Sequence, residues 1–146
     1  MRGEEVNIRD PACVAILSAV TGSQIGLIAV SSTGPYGLDL DPMGAQAFDA
    51  CDGGAVAVID VETRQELAMV PIAGEPDAIW YSPRRQCLYV SVGNPGVIDV
   101  VDCRTLQVQE QIVTEVGAYT TAYDEHRQRV YVFLPGSCRA AVYNDL

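Results

Sequence analysis

The chain has 146 residues, 19 acidic side chains against 9 arginines, no lysine and a net charge of −10. That balance argues against nucleic acid or an anionic membrane as a partner, because phosphate binding needs clustered positive charge. The missing lysine also removes Schiff-base, pyridoxal-phosphate and P-loop chemistry. At 15.7 kDa and 49% apolar content, the chain is one domain's worth and can bury a core.

Residues 1–10, MRGEEVNIRD, are charged and read as a loose lead-in, with Val6–Ile8 the tail of a strand. Ala12–Val30 follows without a charged residue and by length alone could cross a bilayer. Thr21-Gly22-Ser23-Gln24 interrupts it as a turn between the strands Val14–Leu17 and Ile25–Val30. Glu4 and Glu5 stand where a signal peptide needs basic residues, so the expectation is a cytoplasmic protein with no membrane span.

Gly34–Ile72 is the fullest unit. Leu38–Leu40, Ala45–Asp49, Ala55–Asp60 and Glu66–Ile72 are apolar or β-branched runs, separated by Asp41-Pro42-Met43-Gly44, Asp52-Gly53-Gly54 and Val61–Arg64. Short strands divided by Gly, Pro and Asp turns predict a four-stranded antiparallel meander. The unit repeats. Gly74-Glu75-Pro76-Asp77 falls 40 residues beyond Gly34–Gly37 and Ser82-Pro83 falls 41 beyond Asp41-Pro42. Leu88-Tyr89-Val90 repeats the second strand, and Gly117-Ala118-Tyr119 with Val130-Tyr131-Val132, 42 residues beyond Leu88–Val90, repeats both again. A four-stranded repeat of this period predicts β-propeller blades: 4–33 (partial), 34–73, 74–115 and 116–146 (partial), in one half-propeller domain over 1–146. Two partial blades leave a ring open. A homodimer sharing the ring, a tight four-bladed monomer and a piece of a longer chain would each close it; the dimer is the favoured expectation, since C2 pairing is the commonest assembly.

The Gly34–Pro42 motif G-P-x-G-L-x-x-D-P, the Leu88-Tyr89-Val90-Ser91-Val92 strand and the Val56–Asp60 strand resemble the YVTN-type (YncE-like) propeller repeat, within a wider group that includes lactonase-like propellers. The resemblance implies a propeller whose role is binding, structural or enzymatic, and relatives that are often exported to the periplasm.

In such a ring the loops leading into the innermost strands and the loops between second and third strands share one rim. The first set places Tyr36, Asp77 and Tyr119 at equivalent positions; the second supplies Asp49, Asp52, Asn94 and Pro135-Gly136-Ser137. Aromatic and acidic residues together suit a polar or cationic small ligand, or a divalent ion such as Ca²⁺. Tyr36, Asp52, Asp77, Asn94 and Tyr119 are therefore the candidate ligand-binding residues, with Asp52, Asp77 and Asn94 the metal ligands if a metal binds. The leading expectation is a non-catalytic binding or scaffold protein, without catalytic residues or a required cofactor, recognising a small molecule or protein. The alternative is a lactonase-like hydrolase whose rim carboxylates hold a metal that activates water.

The five cysteines contain no CxxC and read as reduced thiols, although Cys87 and Cys103 lie on neighbouring strands where a cross-strand disulfide is conceivable. His126 falls in a turn on the opposite rim, away from them. Arg84-Arg85 and the Arg127/Arg129 pair read as solvated turn residues, Asp60 and Asp102 as turn formers with Thr63 and Thr105, and Trp80 as core or seam.

Overall fold

The computed structural model describes residues 3–43 and 45–145, and every regular element among them is a strand. Gly44 of the expected first turn lies outside the described residues. The first sheet holds β1 (Gly3–Ile8), β2 (Cys13–Ser18) and β3 (Gln24–Ala29). The second holds β4 (Pro35–Asp41), β5 (Gln46–Cys51), β6 (Ala55–Asp60) and β7 (Gln65–Pro71). The third holds β8 (Pro76–Ser82), β9 (Cys87–Val92), β10 (Val97–Asp102) and β11 (Gln107–Val113), and the fourth β12 (Thr121–Asp124), β13 (Arg129–Leu134) and β14 (Arg139–Asn144). Each sheet is an antiparallel meander in chain order, so the sheets are consecutive propeller blades.

The blades repeat in backbone detail as well as in sequence. A β-bulge falls between Ile16 and Leu17, between Val58 and Ile59, and between Val100 and Val101, at one position of the third strand in three blades. Left-handed residues close equivalent turns: Ala45, Gln86 and Gln128 before the second strands, and Gly54, Gly96 and Cys138 before the third. Such a residue after a tight turn lets a short hairpin loop match the strands' right-handed twist.

Burial follows position within the blade. β9 and β10 are buried at every residue, whereas β11 is half-buried only at Val108 and Ile112 and exposed at its other five residues. A middle strand is covered on both faces by neighbouring blades, so it needs apolar residues throughout; an outermost strand faces water on one side. Three apolar clusters fill the three seams. Val14, Ile16 and Ile28 meet Ala47 and Ile59 between the first two blades; Phe48 and Val58 meet Leu88 and Val90 in the next; Tyr89 and Ile98 meet Val130 and Val132 in the last. Trp80 belongs to the last seam, where its indole N–H donates to the Thr121 carbonyl at 3.1 Å.

Two expectations need correction, and one alternative left open by the cysteine spacing falls away. The lead-in is ordered: β1 pairs with β2 from Gly3↔Ser18 to Ile8↔Cys13, because ladder bonds outweigh the weak strand preference of Glu4 and Glu5. Cys87 stands opposite Asp102 rather than Cys103, the two thiols fall in different seam clusters, and both are free. Burial pushes the Cys87 thiol up to about 11 and those of Cys51 and Cys103 up to about 12, which keeps them protonated and poorly nucleophilic. Arg85 is not a solvated turn residue, as its partners in the last seam show below.

Phe48 is 1% exposed and stacks on Tyr81 across the central seam, with ring centroids 5.4 Å apart. Phe48→Ala leaves a cavity the flanking β-strands cannot collapse into, and the expected loss is about 3–5 kcal/mol in urea unfolding.

Candidate functional site

A depression of about 280 Å³ opens on the rim where the leading loops meet the turns between second and third strands. Tyr36 enters from the start of β4, Asp77 from the start of β8, Tyr119 from the segment before β12 and Asp52 from the β5–β6 turn. Two glycines permit this geometry. Gly34 adopts φ +64°, and a Cβ there would collide with the Asp52 carboxylate. A Cβ at Gly37 would strike the Asp77 carbonyl of the next blade, so only glycine lets the two innermost strands approach so closely.

The depression also holds Arg9 and Glu75, which the repeat alignment did not single out. Arg9 comes from the turn after β1 and crosses into the second blade. Its guanidinium pairs with Asp52 and lies over the Tyr36 ring, 5.1 Å from the centroid. The side chains are 59% and 28% exposed, so the pair is a rim contact in water and contributes little to stability. Burial pushes the Asp77 carboxyl above its ordinary range, against the opposing pull of the Tyr36 hydroxyl. The arrangement offers two aromatic rings and three carboxylates around one seated cation.

Tyr36, Asp52, Asp77 and Tyr119 thus come together, and Asn94 does not. Asn94 occupies the β9–β10 turn, equivalent to that of Asp52 one blade on, but it is exposed and outside the depression's lining. Asp52, Asp77 and Asn94 therefore do not form one donor set, and no group of three His, Cys, Asp or Glu side chains among the described residues is placed to hold a metal. Asp49 is no rim residue. It sits inside β5, fully buried, and accepts a hydrogen bond from Asn7 of the preceding blade at 2.9 Å. The Ser137 amide donates to Glu115 at 3.0 Å, away from the depression. His126 lines a separate hollow with Arg84, Glu125 and Gln128 at the opposite strand ends.

A second polar cluster lies in the last seam. Asp145, 1% exposed, accepts hydrogen bonds from Ser82 at 2.9 Å, Tyr123 at 2.6 Å, Arg85 at 3.2 Å and the Tyr89 hydroxyl. Burial pushes its carboxyl up, but the four donors outweigh that and hold it below the ordinary carboxylate range. Burial and the Asp145 charge together push the Tyr123 hydroxyl up to about 12, so both tyrosines stay protonated as donors. The cluster ties the third blade to the fourth. Asp145→Ala strands Arg85 and three hydroxyls, and the expected cost is about 3 kcal/mol by urea unfolding at pH 7. Because the folded carboxyl is depressed, its contribution is present above the unfolded value of 3.8 and is lost as pH falls below it. The variant should therefore show a weaker loss of stability between pH 5 and pH 2 than the parent chain.

No family model matches this chain, and no curated protein matches it in sequence. Among solved structures it is similar to a chain of Kuenenia stuttgartiensis hydrazine synthase, with a TM-score of 0.77 and 19% identity over 97% of this chain and 46% of that one. The chain thus spans about half the length of the structure it matches. At that identity the likeness shows the fold alone.

Proposed function

We propose that this chain is a non-catalytic binding propeller, related to the YVTN-type repeats its motifs resemble, whose rim depression takes a small cationic ligand. The observation that carries the reading is Arg9: a guanidinium already lies over Tyr36 and against Asp52, in a depression that also presents Asp77 and Tyr119. A cation over an aromatic face with a carboxylate beside it is the usual recognition chemistry for ammonium and guanidinium groups. Arg9 then acts as an internal occupant that a ligand displaces, at small cost because the ion pair is exposed. A volume of about 280 Å³ suits a compact ligand rather than a cofactor.

Agmatine and spermidine, with sorbitol as the neutral control, test this by thermal shift. At tenfold excess over Kd a ligand of the folded state adds about 1.4 kcal/mol and raises Tm by about 4 °C for a chain of this size. Tyr36→Ala and Asp77→Asn should abolish the shift, and Arg9→Ala should enlarge it. Equal shifts with sorbitol, or none with either cation, would remove the proposal; a shift with Ca²⁺ or Zn²⁺ alone would favour the hydrolase alternative.

A second copy of the chain is the proposed partner. On the third blade, Tyr89, Ile98 and Val100 seat the fourth blade; the equivalent positions of the fourth, Tyr131, Ala140 and Val142, have no blade against them among the described residues, and Phe133 and Val142 are half-exposed. Val6 and Leu27 are likewise half-exposed on the first blade. Apolar sheet faces of this kind are stable when covered, and each matches the counterpart of a seam already present within the chain. Light scattering should give twice the 15.7 kDa of one chain, and Phe133→Glu should halve it. A monomeric parent chain excludes this partner.

A further inference from the structure

The seam between the first two blades contains a polar pair with an incomplete hydrogen-bond count. Asn7 is the fifth residue of β1 and Asp49 the fourth of β5; the same strand positions hold Ala50 and Val90 in the second seam, and Ser91 and Val132 in the third. At one seam of three, then, an amide and a carboxyl stand where the others have apolar side chains and one serine whose hydroxyl is already hydrogen-bonded to the Ala78 and Tyr119 backbone. Asn7 Nδ2 donates to Asp49 Oδ1 at 2.9 Å. The other two oxygens, Asn7 Oδ1 and Asp49 Oδ2, are both buried and both lack a hydrogen-bond partner. An ionised carboxylate and a carboxamide oxygen are acceptors only, so nothing in the ionised pair can satisfy either atom. One added proton satisfies both.

We propose that Asp49 is held as a neutral carboxylic acid near neutral pH, donating from Oδ2 to Asn7 Oδ1, so that the first two blades are joined by a two-bonded acid–amide latch that opens when the proton leaves. The surroundings favour this state. Leu38 of β4 and Ala57 of β6 flank Asp49 in the sheet, and Val14 and Ile16 of β2 pack into the same seam. The groups able to respond to its charge are few. Cys51, on its own strand, has its thiol raised by burial and by Asp49. Glu5 of β1 is itself raised by burial and by Glu4. Asp39 of β4 is turned to the Tyr81 amide, and Arg9 is engaged with Asp52 on the rim. Among the described residues no cation faces the carboxyl to offset a buried charge, whose desolvation would otherwise be uncompensated. Burial accordingly pushes Asp49 up to about 7, against the opposing pull of the Asn7 amide and the Tyr36 backbone amide.

The sign follows from which state holds the proton more tightly. The folded chain takes it up near pH 7 and the unfolded chain near 3.8, so the latch's contribution is complete below about pH 4 and is lost as pH rises through 7. The rim feels the change, because Asn7 lies two residues before Arg9 and the Tyr36 amide borders the same carboxyl.

A ¹³C NMR titration of the side-chain carboxyls, with Asp49 assigned by its disappearance in Asp49→Asn, tests the proposal on the unaltered chain. A midpoint within one unit of 7 supports it; a midpoint below 5 overturns it. Urea unfolding gives the independent check. The Asp49→Asn amide supplies a permanent donor to Asn7 Oδ1, so the variant should unfold at higher urea than the parent at pH 8.5, with the gap closing toward pH 5. A variant less stable than the parent at pH 8.5 would overturn the latch as well.

Discussion

Everything in this structure depends on the seams between blades. A four-stranded meander has two apolar faces and can cover neither by itself, so each blade is stable only when clamped between neighbours. The burial pattern records this directly: β9 and β10 have no solvent-facing residue at all, while the outermost β11 is exposed everywhere but at Val108 and Ile112. Close approach of the innermost strands then falls to Gly37 against the Asp77 carbonyl, a contact that no side chain could make.

The parts of the fold that are local in sequence are legible in the sequence alone. Ala55–Asp60 has the bounds the sequence suggests, since apolar β-branched residues run between a Gly-Gly turn and an Asx turn closed by Thr63 on Asp60. The amphipathic edges were harder. β1 opens with Gly-Glu-Glu, and only its Val6–Ile8 tail carries a strand signal; the opening half forms because β2 offers a complete ladder. The site divides along the same line. Tyr36, Asp52, Asp77 and Tyr119 could be placed together because the repeat puts them at equivalent loop positions. Arg9 could not, because it reaches the depression from a turn of the preceding blade, 43 residues from its partner. Asp145 was invisible for the same reason: it meets Ser82, Arg85 and Tyr89 at separations of 56 to 63 residues. Asp49 was misplaced by two positions of strand boundary. Read as a turn residue it belongs to the rim; with β5 continuing to Cys51, the alternation of side chains turns it into the seam.

A rim site built this way has no scaffold of its own. Arg9 belongs to the first blade, Tyr36 and Asp52 to the second, Asp77 to the third, and Tyr119 leads into the fourth. Their distances are therefore fixed by how the seams pack. A small rotation between the first two blades moves the Arg9 guanidinium relative to Tyr36 and Asp52 without disturbing a single hydrogen bond within either sheet. Seam chemistry and ligand chemistry are thus coupled through geometry alone.

The three seams are not chemically alike, and the difference lies in two carboxyl groups. Asp145 is buried in the last seam with an arginine and three hydroxyls turned toward it, and these donors keep it ionised despite the loss of water. Asp49 is buried in the first seam with only the Asn7 and Tyr36 amides to favour its charge and no cation facing it among the described residues, and burial prevails. The same side chain therefore takes opposite charge states within one fold, for reasons that can be counted as donors. The central seam is held by Phe48 on Tyr81 and a run of valines, and its buried Asp99 accepts hydrogen bonds from the Ala73 amide of the second blade and from the Gln111 side chain. Rising pH thus acts on the first seam through Asp49, the seam from which Arg9 reaches the rim, whereas Asp145 in the last is already ionised.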